Sequence, residues 1–410
     1  MDSAPRGSAG STTPPASPAF DVTRNVRLLY AHELVSGLVP FLPIWVLYLT
    51  DFRGLTLAQV GLLEGFFWGV AIVAEMPTGA FADRFGRRLT FLAALLVQAG
   101  GLALFGLADG YVLLYLSYVL WALGLSLASG NDQAYLYEAL AADGRAEQFS
   151  AVAGRLMAAR MAAAMVGAIG GGWLASAATL QAPVLLTVVT FLASVPIVLA
   201  MREPPRAQRA APLTYTQTLR GGGRALRADR ASAAIVLFSV SFAVLGGAGA
   251  VLSQPFLQRH GVPLAAFGLF FGPMQLIAIL GALTAYRLPR LLGLSRSLGL
   301  LWMVPAAAYL LMGVVDHVVA FAGFALRTMA WGMREPLTAD YLNRRTASEV
   351  RATVLSAQPL GRAVLQAVVT PRAGRLRLPA ERARVTARAV WPPLPAARVA
   401  RLQERAVLRR

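Results

Sequence analysis

From residue 28 onward the sequence is a succession of apolar runs, each close to the roughly 20 residues that an α-helix needs to cross a bilayer core. The runs lie at 28–50, 57–82, 89–108, 111–130, 150–177 and 184–201, then at 231–252, 265–288, 298–315, 318–331 and, more weakly, 352–370. Serial runs of this length leave one class of fold open, because in lipid each backbone N–H and C=O has to be satisfied inside its own helix. The expectation is an all-α polytopic membrane protein with 10–11 recognisable spans. Composition agrees: 57% hydrophobic and 14% charged residues, with a mean hydropathy of +0.57, are too apolar for a soluble chain of this size.

The polar segments divide the runs. Residues 1–25, rich in Ser, Pro, Ala and Thr, read as a disordered tail. Residues 202–230 carry seven arginines, Pro204 and Pro205, and three consecutive glycines from Gly221, and read as a linker between a six-span bundle at 26–201 and a second, incomplete bundle at 231–370. All 38 basic residues are arginine, and the formal charge is +18. Such a charge would point to nucleic acid if it were gathered on one surface. Here the arginines punctuate apolar runs, so no nucleic-acid partner is expected. If the N-terminus is cytoplasmic, 20 arginines fall in inner segments and only Arg53 and Arg259 in outer loops. Cytoplasmic loops carry such an excess, so this is the expected orientation. The chain has no cysteine, which removes disulfides and thiolate metal sites. With no metal-spaced cluster, G-x-S-x-G or phosphate loop, neither enzyme chemistry nor a cofactor is expected.

An internal repeat supports two equivalent halves, a common construction in transporters. Residues 53–65 align without gaps against 260–272, and six of thirteen positions agree: Gly54/Gly261, Leu57/Leu264, Ala58/Ala265, Gly61/Gly268, Leu62/Leu269 and Gly65/Gly272. The same offset pairs Gly86 with Gly293. It sets Glu64 against Phe271, Glu75 against Ala282 and Asp83 against Arg290, so the second half lacks these acids.

Residues 75–88, EMPTGAFADRFGRR, end the second run and read as a helix broken at Pro77, Thr78 and Gly79 before a tight cytoplasmic turn. This stretch resembles the signature loop of the major facilitator superfamily, G-x-x-x-D-R-x-G-R-R, matched by Gly79, Asp83, Arg84, Gly86, Arg87 and Arg88. Residues 129–140 and 341–356 are similar to bacterial drug-efflux-type members, and the resemblance covers about 26–365. It implies two six-helix bundles related by a pseudo-two-fold repeat. It also implies a monomeric transporter in the inner (plasma) membrane that exports a small amphipathic molecule by alternating access, coupled to protons. In that family the aspartate and arginines latch the halves by reaching the eleventh span, here at 351–356; a purely topogenic role for the arginines is the alternative. The antiporter motif G-P-x-x-G-G is met at Gly167, Gly171 and Gly172, with Ala168 in place of the proline. Small residues there serve helix packing equally well.

Ionisable residues inside spans carry the candidate mechanism. A charge at mid-bilayer costs about 2.5–3.5 kcal/mol even on lenient scales, so it faces a cavity or a partner. His32 and Glu33 lie in the first span, Glu75 in the second, Arg155 and Arg160 in the fifth and Arg327 in the tenth. A helix movement that exchanges a carboxylate between an apolar site and an arginine would load and release a proton. Glu75 leads this reading, with Glu33 and Asp132 behind it and Arg155 or Arg160 as counter-charge. The structural alternatives are a helix-holding ion pair at Glu75, solvated helix ends at Asp132 and Glu138, and a satisfied polar group at His32. Tyr30, Trp45, Trp68, Tyr118, Trp121, Tyr135, Met274, Gln275 and Trp331 are candidates to line a cavity, fewer than half of them touching substrate. Such walls suit amphipathic compounds.

Residues 371–410 hold eleven arginines against Glu381 and Glu404 and no apolar run of span length. The reading is a frame lost near residue 370, with a basic arm for anionic lipid or nucleic acid as the alternative. An inactive truncated member, or a membrane receptor or scaffold that transports nothing, follows as the alternative to an active transporter.

Overall fold

A computed structural model describes residues 20–107, 109–205, 230–345 and 365. The first half contains α1 (Val22–Ser36), α2 (Trp45–Leu47) running into a π-helical turn (Tyr48–Phe52), α3 (Leu57–Phe85), α4 (Arg87–Leu107), α5 (Tyr111–Ala128), α6 (Asn131–Ala141), α7 (Phe149–Ala177) and α8 (Ala182–Ala200). The second contains α9 (Arg230–Arg259), α10 (Phe267–Phe271), α11 (Met274–Thr284), α12 (Arg287–Leu292), α13 (Leu294–Val314) and α14 (Ala322–Arg345). All regular structure among the described residues is helical, and eight segments are long and apolar enough to cross a membrane. Apart from residue 365, the expected eleventh span and the 371–410 tail lie outside the described residues.

The first apolar run is not one helix. Pro40 and Pro43 lack the N–H that a helix interior needs and bias the residue before each away from helical backbone. The chain accordingly leaves α1 at Gly37 and regains helix only at Trp45. The second run departs the other way, because α3 continues through Pro77 as a 29-residue helix. The Thr78 hydroxyl donates to the Ala74 and Glu75 carbonyls there. The break expected at Pro77–Gly79 falls instead at Gly86, whose φ of 93° is open to glycine at little cost. The 265–288 run is interrupted at Pro273 and splits into α10, α11 and α12.

Helices α1 and α3 to α8 pack on one another, as do α9, α11, α13 and α14. The first group encloses the larger core, with Tyr48, Phe41, Phe105 and Tyr118 fully buried within it. The groups meet near the end of the bundle that carries Arg53. Gln254 of α9, 2% exposed, accepts from the Val46 N–H at 2.8 Å and donates to the Leu42 carbonyl at 3.0 Å, satisfying backbone that the Pro40–Pro43 break leaves free. Beside it α7 and α10 touch backbone to backbone: a Cβ on Gly172 would lie 2.8 Å from the Gly268 nitrogen, and one on Gly268 would collide with the Ala168 carbonyl oxygen. Gly171 is held as closely against Pro40. Among the described residues, the side-chain hydrogen bonds that join the two groups all come from Gln254 and Gln258 at this end.

Candidate functional site

At the opposite end, the signature residues assemble a closed polar cluster. The α3–α4 connection is Gly86 alone. The first N–H groups of α4, at Arg87 and Arg88, donate to the two carboxylate oxygens of Glu203 at 2.6 and 2.8 Å. An acid at a helix N-terminus meets both the unpaired donors and the positive end of the dipole. A Cβ on Gly86 would collide with that carboxylate. The Arg87 guanidinium bonds Glu138 at 3.0 Å, both side chains nearly buried, and lies 3.5 Å from Asp83. Glu138 is therefore an enclosed partner of Arg87 and not a solvated helix end, because α6 folds back against the start of α4. Arg88 donates to the Val198 and Leu199 carbonyls at the end of α8. Arg84 stacks on Phe85, and Gly79 is exposed with open space around it. These contacts tie helices within the first half. The partner implied for Asp83 at 351–356 lies outside the described residues.

Of the intramembrane groups, the structure brings Glu33, Asp132 and Arg160 to one small pocket, with Leu136 and Met157. Glu33 is 2% exposed and accepts from the half-exposed Arg160 at 3.3 Å, joining α1 to α7. His32 faces the other way: its Nδ1 lies 2.7 Å from the Ser194 hydroxyl of α8, and its ring packs edge-on to Phe91 of α4. It is a satisfied polar group holding three helices. Arg155 and Glu75 are both exposed and make no ion pair among the described residues. The arginine sought as a counter-charge for Glu75 thus serves Glu33. Glu64, noted from sequence only as a repeat position, is half-buried in α3 beside the Tyr118 hydroxyl of α5. That fully buried hydroxyl forms no hydrogen bond of normal geometry. Glu64 stands eleven residues before Glu75, three helical turns, so both lie on one side of α3.

A cavity of about 300 Å³ lies between the halves, within the size range of ligand pockets. The first half contributes Met161, Ala164 and Ala168 from one face of α7 and the Leu42–Pro43 break, while α10, α11 and α14 supply the opposite wall. Met274, Gln275 and Trp331 line it as expected; Tyr118 and Tyr135 are instead buried in the first-half core. Its charged lining residue is Arg327, 9% exposed, whose Nη1 donates to the Gly246 carbonyl at 3.2 Å and approaches the Tyr309 hydroxyl at 3.4 Å. The guanidinium sits 4.5 Å from the Phe324 ring centre and 5.7 Å from that of Trp331. Its Nε is buried without a partner. Such cation–π contacts contribute about 0.5–2 kcal/mol, less than the burial of an arginine costs. Among the described residues no three His, Asp or Glu side chains converge as metal ligands would.

The sequence model of the Major Facilitator Superfamily matches residues 34–370. The chain belongs to the major facilitator superfamily. Two curated bacterial relatives match over short stretches: the uncharacterized MFS-type transporter YxaM of Bacillus subtilis, 28% identical over 113 residues, and the multidrug resistance protein MdtH of Proteus mirabilis, 32% identical over 122. These alignments cover 27% and 29% of this chain and 28% and 30% of the relatives, so the chain spans less than a third of their length. The crystal structure of the nucleoside transporter NupG superposes with a TM-score of 0.68 over 87% of this chain and 92% of that one, at 13% identity, a likeness of fold. For this superfamily member the sequence left Glu203 unseen and offered Glu138 as a solvated helix end. The acid three residues beyond the end of α8 was the available signal for Glu203, since helix starts want carboxylates.

Proposed function

We propose that the chain is a proton-coupled secondary transporter that exports a small amphipathic organic molecule by alternating access, as a monomer in the inner (plasma) membrane with a cytoplasmic N-terminus. The observation that carries this reading is the placement of three features on α7. Arg160 pairs with buried Glu33; Met161, Ala164 and Ala168 line the cavity; Gly172 forms the close contact with the second half. Protonation of Glu33 removes the charge that holds Arg160 and frees α7 from α1. The same helix then carries that change past the cavity wall to the contact between halves. Asp132, in the same pocket, offers Arg160 an alternative anion once Glu33 is neutral. Glu64 and Glu75, on one side of α3, are further candidates along the proton route, and the Arg87 cluster is the candidate cytoplasmic latch.

The orientation rests on the arginine distribution and on how its two exceptions are held. Arg53 pairs with Asp109 at 3.1 Å and Arg259 with Asp316 at 3.1 Å, so both arginines at the Arg53 end are offset by a carboxylate. Excess positive charge therefore stays at the Arg87 end, the signature of a cytoplasmic face. In that orientation the halves are closed on the outer side through Gln254 and the α7–α10 contact. The similarity to a multidrug resistance protein supports export of drug-like compounds.

Two experiments test the reading. Proton-driven flux of a panel of amphipathic dyes is measured in proteoliposomes for the native chain, Glu33→Gln and Glu75→Gln; flux abolished by Glu33→Gln supports coupling at that pair, and full flux in both variants overturns it. Because the chain has no cysteine, Thr179→Cys and Glu147→Cys report the two faces cleanly. An impermeant maleimide added to intact cells is expected to label position 179 and not 147, and the reverse pattern refutes the orientation.

A further inference from the structure

We propose that the cavity selects organic anions, an aromatic or aliphatic body carrying a carboxylate or comparable head, with Arg327 as the residue that binds the head. This inference rests on the transporter reading and names its substrate class. The first ground is that Arg327 is a nearly enclosed cation on the cavity wall with no carboxylate in ion-pair reach among the described residues. The sequence around it explains why: between Arg230 and Arg334 the single acid is Asp316, which is engaged by Arg259 and His260 at the Arg53 end. Helices α9, α11 and α13 carry none at all. On α14 the next acid, Glu335, is eight residues away, about 12 Å along the helix.

The second ground is the chemistry that Arg327 does and does not complete. An arginine offers five N–H donors in a planar fork. Both hydrogen bonds it makes leave from Nη1, and Nε remains a buried donor without an acceptor. A buried donor is costly to leave unpaired, and a carboxylate is the acceptor whose geometry fits a guanidinium edge. Across the cavity, Leu42, Pro43, Met161, Ala164 and Ala168 supply uncharged apolar side chains, and Phe271, Met274 and Phe324, beside the polar Gln275 and Thr328, supply apolar surface for the body of the ligand. A cationic drug would meet like charge there; a neutral one would leave the guanidinium desolvated and unmatched.

The test uses three probes with one ring system, 1-naphthoate, 1-naphthamide and 1-naphthylmethylamine, titrated calorimetrically against the full chain in lipid nanodiscs with empty nanodiscs as reference. The expected result is saturable binding of naphthoate at least about tenfold tighter than the amide, with the amine weakest. Arg327→Gln should weaken naphthoate to the level of the amide, and Arg327→Lys should restore part of the preference, which a merely structural role would not. Thermal unfolding verifies that both variants are folded; removing an unpaired buried charge is expected to leave the melting temperature unchanged or raised. Equal or inverted affinity for amide or amine in the native chain, a preference that survives Arg327→Gln, or no saturable binding of naphthoate by folded protein overturns the proposal. Proton-driven dye flux in the same preparation separates the two readings. Flux without naphthoate preference sinks the anion site alone, and naphthoate preference without flux sinks the transporter reading alone.

Discussion

The two halves share their turns and differ in their helix interiors. At an offset of 207 residues, Gly54 and Gly261 take φ of 71° and 70°, and Gly86 and Gly293 take 93° and 75°. The same offset relates the Arg53–Asp109 pair at 3.1 Å to the His260–Asp316 pair at 3.2 Å. Inside the helices the correspondence stops. The first half holds Glu33, Glu64, Glu75 and Asp132 and encloses Arg87 with Glu138, whereas the second has apolar residues or arginine at the positions equivalent to Glu64, Glu75 and Asp83 and sets Arg327 at the cavity. The repeat thus preserves what any two-fold helical bundle needs at its ends, and the proposed function divides the chemistry of the interiors between carboxylates in the first half and the Arg327 cation in the second.

Substitutions at equivalent positions probe the difference between the halves. The largest effect is expected on flux: Glu33→Gln should lower proton-driven transport by up to about 100-fold, at the top of the range for coupling energies. Asp316→Asn, which removes the single acid between Arg230 and Arg334, should change it less than about twofold, because exposed pairs contribute little. Next is the buried pair at the Arg87 end. Arg87→Ala or Glu138→Ala should cost about 3 kcal/mol, as loss of one partner strands the other. Leu294→Ala, at the position equivalent to Arg87, should cost about 1 kcal/mol; a double-mutant cycle on Arg87 and Glu138, followed by thermal unfolding, reads the difference. The turns come third. Gly86→Ala and Gly293→Ala each force a side chain into positive φ, about 1–2 kcal/mol. Gly86→Ala alone also drives Cβ into the Glu203 carboxylate, while Gly293 has open space, so the first should lower the melting temperature more. The smallest effect belongs to the shared end pairs. Asp109→Asn and Asp316→Asn should each shift the melting temperature by less than about 2 °C. A larger shift in one would show that the halves differ even where their geometry agrees.

The helical apolar runs and the paired glycine turns at Gly54/Gly261 and Gly86/Gly293 were legible because each is a local property: mean apolarity over a helix length, or a glycine at fixed spacing. Backbone continuity was not. Hydropathy averages across Pro40 and Pro43 as readily as across Pro77, yet the chain breaks at the first two and runs through the third, where the proline sits in a helix packed on α5. Partnerships were hidden for a different reason. Glu33 and Arg160 are 127 residues apart and Arg87 and Glu203 are 116 apart, so no spacing rule connects them. Arg327 could be identified as an intramembrane charge, but the absence of a carboxylate in its reach among the described residues depends on which helices surround it.

The measurement that tests the division of labour most directly is proteoliposome flux of 1-naphthoate and 1-naphthamide under an imposed proton gradient, compared among the native chain, Glu33→Gln and Arg327→Gln. Glu33→Gln is expected to lower gradient-driven flux of both compounds by the same factor and to leave their ratio as in the native chain. Arg327→Gln should collapse that ratio toward one through loss of naphthoate flux. A ratio that moves with Glu33, or that persists without Arg327, would contradict the assignment of protons to one half and ligand charge to the other.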